Sequence, residues 1–196
     1  MNKNIAVWLL LMPAFSSSML SADEAHDQAA KEIEESGGAV RKIAADDDRV
    51  EVDFHLIRED AKDEHLSPLP KLTGVYRVHL GGTDVTDGGL KHLKGMDSIE
   101  HLHLERTKVT DTGLDVVAGL KTLTYLNLYG TAISDAGLKK LSSLENLKKL
   151  YVWQTKVTDK GIEALQAKLP DIKIEKGWDT ADLEPTEKKE EAEPDP

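Results

Sequence analysis

From Val75 onward the apolar positions of the chain recur in a fixed frame. Val75, Val78 and Leu80 are followed by Ile99, Leu102 and Leu104, then by Leu123, Leu126 and Leu128, then by Leu147, Leu150 and Val152, 24 residues apart each time. The last two of each set alternate with polar neighbours, which predicts a short strand with one face inward. A second apolar set follows each strand: Leu93 and Met96, Val117 and Leu120, Leu141 and Leu144, then Leu165. Between the two sets, Thr83-Asp-Val-Thr-Asp-Gly-Gly-Leu90 returns as Thr107-Lys-Val-Thr-Asp-Thr-Gly-Leu114, Thr131-Ala-Ile-Ser-Asp-Ala-Gly-Leu138 and Thr155-Lys-Val-Thr-Asp-Lys-Gly-Ile162. A strand–turn–helix unit of this length cannot bury its apolar side alone, so copies must stack.

Subtracting the period once more finds a worn copy. Phe54, Leu56, Ala61, Asp63, Leu66, Leu69 and Leu72 fall at the positions of Val78, Leu80, Val85, Asp87, Leu90, Leu93 and Met96. At the far end the register slips at Leu169, Pro170 breaks the helix, and Ile172-Lys-Ile174 reads as a terminal strand. Four full repeats and one degenerate leading repeat result.

The string L-x-x-L-x-L-x-x-T-x-[VI] at this period resembles the leucine-rich repeat. Its T-x-[VI]-[TS]-D-x-G-L half is similar to the ribonuclease-inhibitor-like and F-box-associated subtype, and to secreted bacterial leucine-rich repeat proteins in which strings like Trp153-Gln-Thr-Lys-Val-Thr158 recur. The resemblance covers about residues 50–178. It implies an α/β fold: a short right-handed horseshoe segment of a leucine-rich repeat solenoid, with parallel strands on the concave face and helices on the convex face. Thr stands where many members carry Asn. A hydroxyl can meet the backbone-bonding role of that position with fewer partners.

The repeated polar residues have structural expectations. Thr86, Thr110, Ser134 and Thr158 suit helix N-caps, with Asp87, Asp111, Asp135 and Asp159 in the favourable first turn. One capping role explains all four Asp residues, which removes them as catalytic candidates. Gly89, Gly113, Gly137 and Gly161 cost helix stability relative to Ala, so their recurrence predicts a backbone too close to its neighbour for a Cβ.

The period also assigns the outward columns. The first runs Asp53, Arg77, His101, Tyr125, Lys149; the second His55, His79, His103, Asn127, Tyr151; the third Ile57, Gly81, Glu105, Tyr129, Trp153. Two clusters emerge. Tyr125, Tyr129, Tyr151 and Trp153 gather in the C-terminal half, the type of exposed aromatic group that anchors protein interfaces or stacks on sugars. Arg77, Glu105, Asn127 and Lys149 supply the polar surround. In the N-terminal half His55, His79, His101 and His103 form a ladder able to hold Zn²⁺ or Cu²⁺ with Asp53 or Glu105, although no supporting outer shell is evident from the spacing. His26, His65 and His92 read as tail or surface residues.

Charge and composition narrow the function. The chain has 196 residues, net charge −11 and no Cys, which removes disulfides, thiolate zinc sites and a cysteine nucleophile. Segment 23–36 carries six acids against Lys31, and segment 179–196 eight acids against two lysines, so the repeats between are near neutral. These acidic ends are expected to be disordered. The absence of a basic face argues against nucleic acid. Met1 to Ala22 has the three parts of a secretory signal, with an apolar run from Ile5 to Phe15 too short to span a bilayer. The expected division is signal peptide 1–22, acidic linker 23–37, N-terminal cap and degenerate repeat 38–74, four repeats 75–169, cap strand 170–178 and acidic tail 179–196. No G-x-S-x-G, H-E-x-x-H or phosphate loop is present. The expectation is a non-catalytic, cofactor-free, secreted or periplasmic module that binds a protein through its strand face. The alternatives are a cell-envelope glycan ligand, metal binding or metal-dependent activity on the His ladder, and an adaptor role for the acidic tails.

Overall fold

The computed structural model of the chain describes residues 21–177. In chain order the elements are α1 (Ala22–Glu35), β1 (Ala39–Ala44), β2 (Asp47–Asp53), β3 (Val75–His79), α2 (Asp87–Leu90), β4 (His101–His103), α3 (Leu114–Val117), β5 (Tyr125–Asn127), α4 (Asp135–Lys140), β6 (Lys149–Tyr151), α5 (Asp159–Gln166) and β7 (Lys173–Glu175). The strands form one seven-stranded sheet in sequence order, antiparallel between β1 and β2 and parallel thereafter. The fold is an α/β solenoid.

The register is what a 24-residue period demands. Val78, Leu102, Leu126 and Leu150 pair in succession, and all four are fully buried. Leu80, Leu104 and Leu128 form a second inward row, also fully buried. Their alternating neighbours face out on the other side of the sheet, because side chains on a strand point to opposite faces in turn.

Hydroxyls and carboxylates tie the turns. Thr83, Thr107, Thr131 and Thr155 donate to the carbonyls of Leu80, Leu104, Leu128 and Val152 at 2.6–2.7 Å. A Thr hydroxyl thus closes the turn within its own repeat. The Asp residues act between repeats. Asp63 accepts from the Thr86 N–H and hydroxyl at 2.7 and 2.6 Å, and Asp87, Asp111 and Asp135 do the same for Thr110, Ser134 and Thr158. Asp159, in the last repeat, accepts instead from Lys176 at 2.7 Å. Thr86, Ser134 and Thr158 cap their helices as expected, whereas the helix α3 starts later and has Gly113 at its N-cap.

This ladder explains the glycines. A Cβ on Gly89 would come within 2.6 Å of Asp63 Oδ1, and one on Gly113, Gly137 or Gly161 would overlap the carboxylate of Asp87, Asp111 or Asp135. The close approach predicted from their recurrence is to the preceding repeat's Asp side chain.

Two expectations are corrected at the N-terminal end. Segment 23–37 is no disordered linker. Residues 22–35 are helical, capped by a reciprocal Ser21–Glu24 box, with Ala29 and Ile33 fully buried against the first repeats. His26 Nδ1 accepts from the Thr73 N–H at 3.1 Å, which makes it a tie between α1 and the repeats. Gly37, at φ +90°, turns the chain into the β1–β2 hairpin. Charged residues on one side of α1 hide an inward face of Ala29, Ala30 and Ile33, with His26 at its start, spaced as one helix face.

The second correction concerns the worn repeat. Ala61, Leu66, Leu69 and Leu72 are buried as the 24-residue offset requires, and Asp63 holds Thr86. The strand before them is offset by two further residues. Val52 pairs with Val78 and Asp53 with His79, and the Phe54 N–H takes the His79 carbonyl as the Leu80 N–H takes that of His103. Phe54 therefore fills Leu80's place, Leu56 is 65% exposed, and Ile57 packs against the core instead of facing outward. Two extra residues between strand and turn absorb the difference.

At the other end Leu150 pairs with Ile174, and Leu169 and Ile172 close the core. The signal-peptide reading, apart from Ser21 and Ala22, and the acidic-tail reading lie outside the described residues. Among those described, no helix is long and apolar enough to cross a membrane.

Candidate functional site on the strand face

The observed register rewrites the outward columns. The first holds Glu51, Arg77, His101, Tyr125, Lys149 and Lys173; the second holds Asp53, His79, His103, Asn127, Tyr151 and Glu175. Asp53 belongs beside His79, not Arg77, and His55 lies past the end of its strand. Backbone bonds from Gly82, Arg106 and Gly130 to the carbonyls of Glu105, Tyr129 and Trp153 continue the ladder into the third column.

The two clusters expected from the sequence are joined. Rings run His55, His79, His103, Tyr125, Tyr151 with centroids 4.6, 4.7, 4.8 and 5.4 Å apart. Parallel pairing at about 4.8 Å puts His79 and His103, partners in one column, at ring-stacking distance, and Tyr125 leans across from the first column to join His103 to Tyr151. His101 stacks on Tyr125 at 5.4 Å, and its Nε2 lies 2.8 Å from the Tyr76 hydroxyl.

The aromatic half consists of two pairs, Tyr125 with Tyr151 and Tyr129 with Trp153, the latter 5.2 Å apart and near parallel. Arg106 lies 5.0 Å over the Tyr129 ring and donates to its hydroxyl at 2.8 Å. Arg106 was missed because it is on no outward column; its φ of +56° carries it back over the face. Trp153 covers Gly177, where a Cβ would overlap the indole, and is 44% exposed. It is the one large apolar side chain so exposed on this face among the described residues, since Ile43 and Leu56 lie in the N-terminal cap. Asn127 Oδ1 accepts from the Tyr129 N–H at 3.1 Å, so Asn127 shapes the strand exit. Lys149 is exposed, while Arg77 pairs with Glu51 at 3.2 Å.

The histidine half is acidic and partly buried. Asp53, 5% exposed, accepts from the His55 N–H at 2.9 Å, contacts His55 Nδ1 at 2.5 Å, and lies 3.7 Å from His79 Nδ1. Glu105 reaches His79 Nε2 at 3.3 Å and His103 Nδ1 at 3.7 Å. Burial alone would raise Glu105, but the adjoining rings of His103 and His79 outweigh it and hold the carboxyl at about 2. The bond to Glu105 pushes His79 up against burial, whereas burial, with Arg77 next in strength, pushes His101 down. The nearly buried Asp53 lies behind His79, beyond hydrogen-bond distance of its ring.

With this geometry in place, the comparisons have a context. Residues 119–142 match the family described as leucine-rich repeat. Among solved structures, an internalin of Listeria monocytogenes aligns over 56% of this chain and 30% of its own, at 22% identity and a TM-score of 0.49. Internalin C2 of the same organism aligns over 56% and 54%, at 22% identity and 0.43. A leucine-rich repeat protein of Leptospira interrogans aligns over 56% and 27%, at 21% identity and 0.43. The chain spans only a part of each of these structures. A comparison with curated proteins finds no match. The repeated register, the turn chemistry and the matched repeat define the molecule as a leucine-rich repeat solenoid.

Proposed function

We propose that the protein is a non-catalytic binding module that engages a protein partner through the C-terminal half of its strand face. The observation that carries this reading is the Tyr129–Trp153 stack, with Trp153 44% exposed beside a continuous ladder of rings. An amphipathic ring held by neighbours loses little freedom on binding, and such residues dominate interface energetics. Seven strands offer a face of roughly 28 Å across the ladder, enough for a standard interface of about 800 Å² per side. The signal-like leader supports a place outside the cytoplasm, secreted or periplasmic, where envelope proteins and glycans are the available ligands.

The test is affinity capture from the envelope fraction of the source cells, using the chain from residue 21 onward and the same chain with Tyr129→Ala and Trp153→Ala. A protein retained by the first and lost by the second is the expected result. Retention by both places binding elsewhere. A retained species that survives protease and yields sugar on hydrolysis makes the ligand a glycan. Fractionation of the cells with a tagged full chain tests the location.

A further inference from the structure

We propose that His79, His103 and Glu105 form a site for one divalent transition-metal ion of the Zn²⁺ class, with Asp53 orienting His79 from behind. This site is in the N-terminal half of the strand face, adjoining Tyr125, against which His103 packs at 4.8 Å, and does not depend on the binding role argued above for Tyr129 and Trp153.

The site follows from the register. His79 and His103 are direct partners on adjacent strands, and Glu105 leaves β4 two residues after His103, on the same side of the sheet. The donor atoms of the three residues all lie within 4.8 Å of one another. A tetrahedral Zn²⁺ with bonds of about 2.0–2.1 Å separates its ligand atoms by about 3.3–3.4 Å. His79 Nε2 and Glu105 Oε1 are already 3.3 Å apart, and His103 Nδ1 is 3.7 Å from Glu105 Oε2. Binding one ion requires side-chain rotations that draw these donors, now within 4.8 Å of one another, toward a common point.

Two further observations point to a cation. Glu105 Oε2 is shielded from solvent and has no donor within hydrogen-bond distance, the nearest ring nitrogen, His103 Nδ1, lying 3.7 Å away; a carboxylate oxygen so placed is stabilised by a cation shared with that ring. Position 81 is Gly where the third column otherwise carries side chains, and a Cβ there would come within 2.5 Å of Glu105 Oε1. Gly81 leaves the space into which Glu105 folds toward the histidines.

Asp53 stands where ligating histidines ordinarily have a supporting carboxylate, near the ring nitrogen away from the metal, although in this structure its Oδ1 is bonded to His55 and reaches His79 only at ion-pair distance. Its Oδ1 is 3.7 Å from His79 Nδ1, while Nε2 of the same ring faces Glu105. His55 stacks on His79 at 4.6 Å and restricts the ring's rotation. The alternative triad of Asp53, His55 and His79 is less suited, because Asp53 Oδ1 is already engaged by the His55 N–H and ring. Two imidazoles and one carboxylate select a borderline ion over Ca²⁺ or Mg²⁺. The three side chains remain 20–25% exposed, so the fourth position faces solvent and is open to water or to a partner's donor group.

The experiment is calorimetric titration of ZnCl₂ into chelator-treated full chain at neutral pH, with Co²⁺ as an optical probe. One ion per chain with a Kd at or below about 10 μM is expected, and Co²⁺ should show the intense visible bands of a four-coordinate ion. His79→Ala, His103→Ala and Glu105→Gln should each weaken Zn²⁺ at least tenfold. Asp53→Asn should weaken it by roughly 10–100-fold. A variant with His65→Ala and His92→Ala should bind as the native chain does. His79→Gln with His103→Gln keeps a polar face should the alanine variants fold poorly. Absence of binding tighter than about 100 μM, or one-equivalent binding that survives loss of both His79 and His103, overturns the proposal.

Discussion

Asp87 holds Thr110, 23 residues away, by both available donors: the backbone N–H at 2.8 Å and the hydroxyl at 2.6 Å. The same clamp recurs from Asp63, Asp111 and Asp135, so each repeat caps the next and each helix start is positioned by its predecessor. Thr110 belongs to the turn ahead of α3, so the clamp links the first residue of α2 to the turn before the next repeat's helix. Stability in such a stack is carried by neighbour interfaces as much as by the units themselves.

Asp87→Ala should destabilise the chain by about 1.5–3 kcal/mol, since it removes charge-assisted bonds and leaves two partly buried donors without an acceptor. Gly113→Ala should cost about 1–3 kcal/mol, because the new methyl overlaps the Asp87 carboxylate and crowds Leu90. With Asp87 already replaced by Ala, the Gly113→Ala cost should fall. Urea unfolding of the two single variants and the double variant measures this coupling. Additive costs would show that Gly113 answers to something other than the carboxylate.

Leu126 is central in the inward row, paired with Leu102 and Leu150 and fully buried. Leu126→Ala should cost roughly 2–5 kcal/mol, the transfer loss plus the residual cavity. The fall in denaturation midpoint reads it directly.

The shifted register of the first parallel strand can be checked by a pair of substitutions. Phe54 is fully buried in the place that Leu80 occupies one repeat later, whereas Leu56 is 65% exposed. Phe54→Ala should cost about 3–5 kcal/mol and Leu56→Ala should stay within about 0.5 kcal/mol of native. A large loss at Leu56 would restore the uninterrupted 24-residue offset.

The helix α1 should behave as part of the fold. Ile33 is fully buried, so Ile33→Ala should cost about 2–4 kcal/mol and weaken amide protection in α1 and β1 together. Unchanged stability would make α1 an appendage.

Two histidines on one face should titrate in opposite senses in metal-free protein. The Glu105 bond raises His79, so its contribution to stability is full below the unfolded-state pKa of about 6.5 and is lost as pH rises through the higher folded value. Burial lowers His101, so its contribution is present above about 6.5 and is lost as pH falls toward the lower folded value. Imidazole resonances followed by NMR should show His79 protonating before His101 as pH is lowered. Glu105→Gln should lower the His79 midpoint and move His101 little.

The repeat frame was legible because each copy must satisfy the same packing problem, so the same residue types return at one spacing. Strand and helix positions, the inward leucines, the turn threonines and the crowding at Gly113 all follow from that recurrence. The candidate aromatic and histidine positions from Arg77 to Trp153 were legible for the same reason: a strand with a known inward row has a known outward one. Where the frame breaks, periodicity loses its authority. Two extra residues between Phe54 and Ala61 shift Asp53 and His55 by a column, and no spacing within one copy reveals them. The stripe on α1 was present in the sequence, as was the Ser21–Glu24 pattern of a helix start, but its acidic face outweighed both. Partnerships between repeats were decided only in three dimensions. The carboxylate that crowds Gly113 comes from the previous turn, Arg106 reaches Tyr129 through a left-handed backbone, and Asp53 stands behind His79 because a hairpin strand pairs in a register that the repeats alone do not set. Periodicity reports the environment a position shares with its copies; which side chains meet across copies depends on register and backbone direction, and these emerge when the chain stacks.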